Sequence, residues 1–171
     1  MKWLLIGVGA LAGLVALVAV AGALLPRDHR SSRSIVLRRP PDTVWAAVRD
    51  FAGLSSWWPD MKRAERLRDS SGREVWRQDV GGFPMTLEVA EDQPARRLVT
   101  RIVAPDNAPF GGRWIYELEA VPGGTRLTVT EEGWIRNPLF RAMGHAMGLD
   151  RTIKGYLRSL GRRFGENAEP A

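Results

Sequence analysis

The sequence predicts an α+β protein: one antiparallel sheet of seven strands packed against a long carboxyl-terminal helix, with two short helices after the first strand and an apolar helix before the domain. Three patterns predict it. Residues 3–25 carry no charge, the middle of the chain holds six short runs in which apolar and polar residues alternate, and residues 139–164 repeat apolar side chains at helical spacing.

Length and composition limit the kinds of protein that this chain can be. A chain of 171 residues allows one domain and a short appendage, and 44% apolar with 26% charged residues is typical of a globular protein. Cysteine is absent, which excludes disulfides, thiolate metal sites and cysteine nucleophiles. Only His29 and His145 are available for a zinc site or a Ser-His-Asp triad. We therefore expect no metal and no cofactor.

The first 25 residues are the strongest signal, and they predict a transmembrane anchor over residues 1–25. Trp3 to Leu25 form 23 uncharged residues, and a helix of that length spans about 34 Å, enough for the core of a bilayer. A cleavable signal peptide is the alternative, because residues 21–23 (Ala-Gly-Ala) match a small-residue cleavage site. The apolar run is longer than a signal core, which favours the anchor, with residues 3–25 as the contact to the membrane.

Charge predicts where the domain lies. The chain carries 25 basic and 19 acidic residues, an excess that suits an anionic membrane surface, while no basic-aromatic pattern indicates a nucleic-acid partner. Arginines follow the anchor and only Lys2 precedes it, so the positive-inside rule predicts a single-pass protein of the cell membrane with a cytoplasmic domain. The charged stretch over residues 26–33 is predicted to be a juxtamembrane linker.

The domain is predicted to span residues 34–166, followed by a disordered tail over residues 167–171. Ser34–Arg38 alternates like a half-buried strand. Proline residues then allow a short helix, in which Val44, Trp45, Val48 and Phe51 recur at helical spacing. A second helical turn, Leu54–Pro59, ends at its proline.

Six strand-like runs follow, separated by turn residues. The runs are Arg63–Arg68, Arg73–Val80, Phe83–Glu91, Arg97–Val103, Arg113–Val121 and Thr125–Trp134. The turns are Asp69–Gly72, Gly81–Gly82, Asp92–Pro94 and Pro122–Gly124. Connections this short join antiparallel neighbours.

One long helix is predicted to close the domain, with Asn137 as its N-cap and Pro138 in its first turn. Its apolar positions are Leu139, Phe140, Met143, Met147, Ile153, Leu157, Leu160 and Phe164. A long amphipathic helix across the concave side of a twisted sheet leaves a tapering space between helix and sheet.

This order of elements resembles the SRPBCC superfamily, also called START or Bet v 1-like, and within it the polyketide cyclase/dehydrase type. The residues that carry the resemblance are RSIVLRRPPDTVWAAVRDFAGLSSWWPDM after the anchor, RWIYELEAVPGGTRLTVTEEGWIRNP before the last helix, and the turn Thr130–Gly133. Members that look like this chain often carry an amino-terminal membrane helix ending near a Leu-Pro pair, here Leu25-Pro26. The resemblance implies a helix-grip fold whose cavity holds apolar or amphipathic molecules.

Large apolar side chains on the inward strand faces and on the last helix are the candidates for lining such a cavity. They are Trp57, Trp58, Trp76, Met85, Trp114, Tyr116, Phe140, Met143 and Met147. Trp57 and Trp58 are candidates for the mouth of the cavity or for a lip that faces the membrane. The alternative is that all of these side chains only fill the core, where large apolar residues usually lie.

Glu131 and His145 are the candidates for chemistry. Alternation places Glu131 on the inward face with Leu127 and Val129, where a carboxylate needs a partner, and Arg101 or His145 could supply one. Such a pair would be a general acid/base for a cyclisation. A hydrogen-bonded structural glutamate, an exposed one after a one-residue register slip, and a histidine that only packs or faces solvent are the alternatives.

These observations lead to three functional hypotheses. The first is a membrane-anchored binding module for a hydrophobic or amphipathic small molecule, lipid-like or aromatic, held between the sheet and the last helix. The second is a polyketide cyclase/dehydrase-like enzyme. The third is a membrane-tethered scaffold domain with a closed core.

Overall fold

The computed structural model describes residues 1–69 and 72–171. In chain order its elements are α1 (Lys2–Leu24), β1 (Asp28–Leu37), α2 (Pro41–Arg49), β2 (Met61–Arg66), β3 (Val75–Val80), β4 (Phe83–Gln93), β5 (Arg97–Ile102), β6 (Phe110–Val121), β7 (Gly124–Ile135), α3 (Pro138–Met147) and α4 (Arg151–Arg163). A 3-10 turn, Leu54–Ser56, follows α2. The predicted turn Asp69–Gly72 includes Ser70 and Ser71, which lie outside the described residues.

All seven strands form one antiparallel sheet in the order β1-β7-β6-β5-β4-β3-β2. Strands β2 to β7 follow one another as a meander, and β1 pairs with β7, so the chain's first strand lies beside its last. In the β6–β7 register, Trp114 lies opposite Glu131 and Tyr116 opposite Val129. The predicted α+β fold and its seven-stranded sheet are confirmed.

Helix α4 covers the sheet and completes the core. Its fully buried residues Ile153, Tyr156, Leu157 and Leu160 recur at steps of three and one, which places them on one side of the helix. They pack with strand residues such as Leu37. This packing is what holds a helix that contains Gly155 and Gly161.

The single long carboxyl-terminal helix was predicted wrongly, because the chain forms two helices that are separated at Gly148. Gly148 has a φ of 86°, which L-residues rarely adopt, and it ends α3. The predicted cap is present, since Asn137 Oδ1 accepts hydrogen bonds from the main-chain nitrogens of Leu139 at 2.9 Å and Phe140 at 3.3 Å. Helix α3 packs against α1 and does not continue into α4 as one straight helix.

Both predicted flanking segments are also corrected. The linker over residues 26–33 is mostly strand, because β1 begins at Asp28 and its polar residues pair with β7, for example through the 2.9 Å hydrogen bond between Ser32 Oγ and Thr130 Oγ1. The tail over residues 167–171 was predicted to be disordered, but it lies against β1. Ala171 exchanges main-chain hydrogen bonds of 3.0 and 2.9 Å with Ser34, because β1 is an edge strand with free backbone groups.

Helix α1 is long and apolar enough to cross a membrane. Its residues are exposed along most of its length, and its last turns contact the domain. Gly22 is buried against α3, where a Cβ would overlap the carbonyl oxygen of Pro138. Only glycine allows the two helices to approach this closely at that position.

The break at Gly148 predicts that replacing two glycines by alanine changes the free energy of unfolding in opposite directions. Gly148→Ala should lower the free energy of unfolding by about 1–2 kcal/mol, because alanine is strained at positive φ. Gly155→Ala should raise it by about 0.5–1 kcal/mol, since Gly155 lies inside α4 and an added Cβ would meet Asp60 Oδ2 at an ordinary 3.4 Å. Denaturant unfolding of the full-length protein in mild detergent measures both, and equal effects would contradict the assigned break.

Candidate functional site

A cavity of about 330 Å³ lies between the sheet and α3. Its walls come from β1, from β3 to β7, from the segment after α2, and from α3 and the start of α4, and most of the side chains that line it are apolar or aromatic. The volume lies at the lower end of the range usual for small-molecule sites. The break at Gly148 places α3 over this space while α4 fills the core beside it.

Aromatic rings form one wall of the cavity. Trp58, Trp114 and Tyr116 line it, and each packs against the fully buried Tyr156, with ring centroids 5.1, 5.9 and 5.8 Å from that ring. The contacts with Tyr156 are edge-on, a favourable geometry for aromatic pairs. The rings therefore form a rigid wall that presents flat apolar surfaces to a ligand.

Buried polar side chains also line the cavity. Gln78 and Thr100 are buried and line the cavity. Burial raises the pKa of the Tyr116 hydroxyl, the charge of Glu131 raises that pKa further, and a hydrogen bond with Thr100 opposes both. Burial likewise raises the pKa of Tyr156. Both phenols are therefore neutral at physiological pH.

A histidine and a carboxylate in contact with each other also line the cavity. His29 Nε2 lies 3.3 Å from Glu131 Oε1, and both residues line the space. The His29 side chain is 9% exposed and that of Glu131 24%. Gly133, opposite His29 in the register, has no side chain, and a Cβ there would meet the imidazole at 2.8 Å. The pair can hydrogen-bond a polar group of a ligand and can carry a proton.

The partners predicted for Glu131 were wrong. Arg101 donates instead to Glu88 at 2.9 Å. His145 is exposed on α3 and is not among the residues that line the cavity. The prediction missed His29 because its segment was assigned to a linker; pairing of β1 with β7 is what brings it to Glu131.

The nine predicted lining residues divide into two groups. Seven line the cavity: Trp58, Met85, Trp114, Tyr116, Phe140, Met143 and Met147. Trp57 lies outside it, with its ring 5.4 Å from Tyr156 and under the guanidinium of Arg163. Trp76 packs against Phe51 at 5.5 Å. Gln78 was missed, although alternation already placed it between Trp76 and Val80 on one strand face.

The comparisons with known proteins agree with this geometry. Residues 28–169 match the family described as polyketide cyclase/dehydrase and lipid transport. The chain belongs to this family. No curated protein matches the sequence. Membership in the polyketide cyclase/dehydrase and lipid transport family, together with the fold, implies that the cavity binds a ligand.

Solved structures share the START-like fold at low sequence identity. The aromatase/cyclase Zhui from Streptomyces sp. R1128 is 19% identical with a TM-score of 0.66, over 81% of this chain and 94% of that one. A START superfamily protein from Mycobacterium smegmatis is 19% identical with a TM-score of 0.63, over 80% and 97%. A hypothetical protein from Helicobacter pylori is 15% identical with a TM-score of 0.68, over 80% and 88%.

The position of Trp76 gives a pH-dependent prediction. The Nε1 of Trp76 donates to Glu74 at 2.6 Å, and Arg49 donates to both oxygens of the same carboxylate. The hydrogen bonds from Arg49, and then the one from Trp76, hold the pKa of Glu74 below its ordinary value. Glu74→Gln should therefore lower the free energy of unfolding at pH 7 by about 1.5–3 kcal/mol, the range for hydrogen bonds to charged groups.

The difference in the free energy of unfolding between wild type and Glu74→Gln should become smaller at acidic pH. A lowered folded-state pKa means that the contribution of Glu74 is present above its unfolded pKa, about 4.3, and is lost as the pH falls through the lower folded value. Urea unfolding at pH 7 and pH 3 measures the difference between wild type and variant. Glu119→Gln is the control, because its pair with Arg126 is exposed and should be neutral at both pH values. A pH-independent difference for Glu74→Gln would contradict the assignment.

Proposed function

We propose that the protein is a membrane-anchored binding module for a hydrophobic or amphipathic small molecule, lipid-like or aromatic, held between the sheet and α3. The apolar, aromatic-walled cavity is the observation that carries the proposal. Its polar lining includes His29, Glu131, Gln78 and Thr100, so an amphipathic molecule can hydrogen-bond there while its apolar part contacts the apolar lining.

Helix α1 supports the anchored part of the proposal. Its length and composition suit a bilayer, and the buried contact of Gly22 with α3 favours a retained anchor over a cleaved signal peptide. Tethering raises the effective concentration of the domain at the membrane, which suits a water-insoluble ligand. The arginines after α1, among them Arg27 and Arg30, favour a cytoplasmic domain in a cell membrane.

A cyclase/dehydrase-like enzyme is the second candidate, and the His29–Glu131 pair is the observation that favours it. In that case Glu131 would act as the general base and His29 would hold its carboxylate in place. The presence of a cavity argues against the third hypothesis, a scaffold with a closed core.

Native mass spectrometry of the full-length protein, released from its own membrane in mild detergent, tests the binding proposal. Met85 lines the cavity, so Met85→Trp should fill part of the space and remove a bound mass that wild type carries. Val36→Trp is the control, because Val36 is 45% exposed on β1, away from the cavity. A bare wild type, or the same bound mass in Met85→Trp, would contradict the proposal.

Glu131→Gln in the same experiment separates a carrier from an enzyme. A carrier should hold the same compound in wild type and in the variant. An enzyme should accumulate its substrate in the variant, so the two bound masses should differ, by one water for a dehydration.

A further inference from the structure

We propose that the mouth of the cavity opens onto the membrane that α1 enters, so that side chains at the mouth contact lipid and the ligand passes directly between bilayer and cavity. This inference rests on the proposed membrane anchoring, and it adds the source of the ligand, which is the bilayer itself. Four features of the described residues carry it: the tether, the contact of α1 with α3, the apolar mouth and its arginines.

The tether between α1 and the sheet is very short. Residues 25–27 alone separate the end of α1 from the start of β1, and three extended residues span only about 10 Å. The carbonyl of Arg27 already accepts a hydrogen bond from the main-chain nitrogen of Ile135 at 2.9 Å. A membrane that holds α1 therefore lies next to the end of the sheet where β1 begins and β7 stops.

That end of the sheet is also the end at which the cavity opens. Asp28 pairs with Trp134, and both Trp134 and Ile135 line the cavity, as does Phe110 at the start of β6. The opposite end of β6 and β7 is the turn after Val121, eleven residues along the strand from Phe110. At about 3.3 Å per residue this turn lies roughly 36 Å away.

Helix α1 is also held in place by contacts with α3. Gly22 packs against the carbonyl of Pro138, and Ala142 Cβ lies 3.3 Å from where a Cβ of Gly22 would be. Arg141 on α3 is 4% exposed and donates from Nη1 to the carbonyl of Leu25 at 3.0 Å. A cation at this carbonyl end of α1 satisfies an orphan acceptor and interacts favourably with the helix dipole. These contacts fix the direction of the anchor relative to α3.

The side chains at the mouth are apolar, and they both line the cavity and face outward. We call Phe83, Phe140, Met143 and Met147 the rim; they are 50%, 40%, 44% and 51% exposed. Three of them lie on α3, the helix that contacts α1. At 1.5 Å per residue, the α3 part of the rim extends from about 3 to about 14 Å along α3 from Pro138. Exposed apolar side chains this close to an anchor fit the interfacial region of a bilayer.

Arginines near the rim fit the phosphate groups of the same bilayer. Arg151 is exposed and lines the cavity beside Met147, with which its Nη1 is in contact at 3.8 Å. Arg136 is exposed, and its guanidinium lies over the ring of Trp134 at 5.3 Å. Apolar side chains flanked by arginines are typical of a surface that lies on anionic lipid.

Site-specific fluorescence quenching tests this orientation without a ligand. The chain has no cysteine, so Met143→Cys can be labelled alone with an environment-sensitive nitrobenzoxadiazole dye in the full-length protein. The labelled protein is reconstituted into vesicles of phosphatidylcholine and phosphatidylglycerol, with and without nitroxide-labelled phosphatidylcholine. Glu119→Cys is the matched control, because Glu119 is exposed and lies nine residues from Phe110 along β6, about 30 Å from the mouth.

We expect at least twofold quenching of the dye at position 143 and none at position 119. Absence of quenching at position 143, or equal quenching at both positions, would overturn the inference. The binding experiment separates the two proposals. A bound mass without quenching at position 143 overturns only the membrane-facing mouth, whereas quenching at position 143 without any bound mass supports it and overturns the proposed ligand binding.

Discussion

The positive φ of Gly148 is the constraint on which the rest of the site depends. A straight helix from Asn137 onward would either fill the core or wall the cavity, since one axis cannot follow both surfaces. The break lets α4 bury Tyr156 and its apolar neighbours against the sheet while α3 diverges and encloses a separate space. The same divergence brings α3 to the last turn of α1, so the wall of the cavity and α1 are in direct contact.

Pairing of β1 with β7 determines which polar side chains meet in the cavity and where the sheet lies relative to α1. It brings His29 from the amino-terminal segment to Glu131 near the end of the meander, and it places the cavity beside the residues that follow α1. An unpaired linker would let the domain change its orientation relative to α1. A strand that is separated from α1 by only three residues does not, because its hydrogen bonds with β7 hold that end of the sheet next to the end of α1.

The sequence predicted the sheet and most of the cavity because both depend on periodicity and turn chemistry. Alternation identifies Met85, Trp114 and Tyr116 as inward-facing whatever the helices do. Alternation predicts which face of the sheet a side chain lies on, but not how far along the space between sheet and helices it lies. For that reason Trp76 is predicted to line the cavity, whereas in the structure it packs against Phe51. Glycine in a helical pattern signals lower propensity without revealing a positive φ. The break at Gly148, the pairing of the tail with β1 and the position of His29 beside Glu131 all depend on long-range contacts that local patterns do not contain.

The aromatic wall, the apolar mouth and the short tether support the proposal that the cavity takes up lipid-like molecules from a bilayer. Photo-crosslinking tests this claim most directly: full-length protein in vesicles that contain a phospholipid with a diazirine near the end of one acyl chain, followed by mass-spectrometric mapping of the modified peptides. The account predicts adducts on the β6 segment that carries Trp114 and Tyr116, in addition to those on α1. Adducts confined to α1, with β6 unmodified, would contradict it.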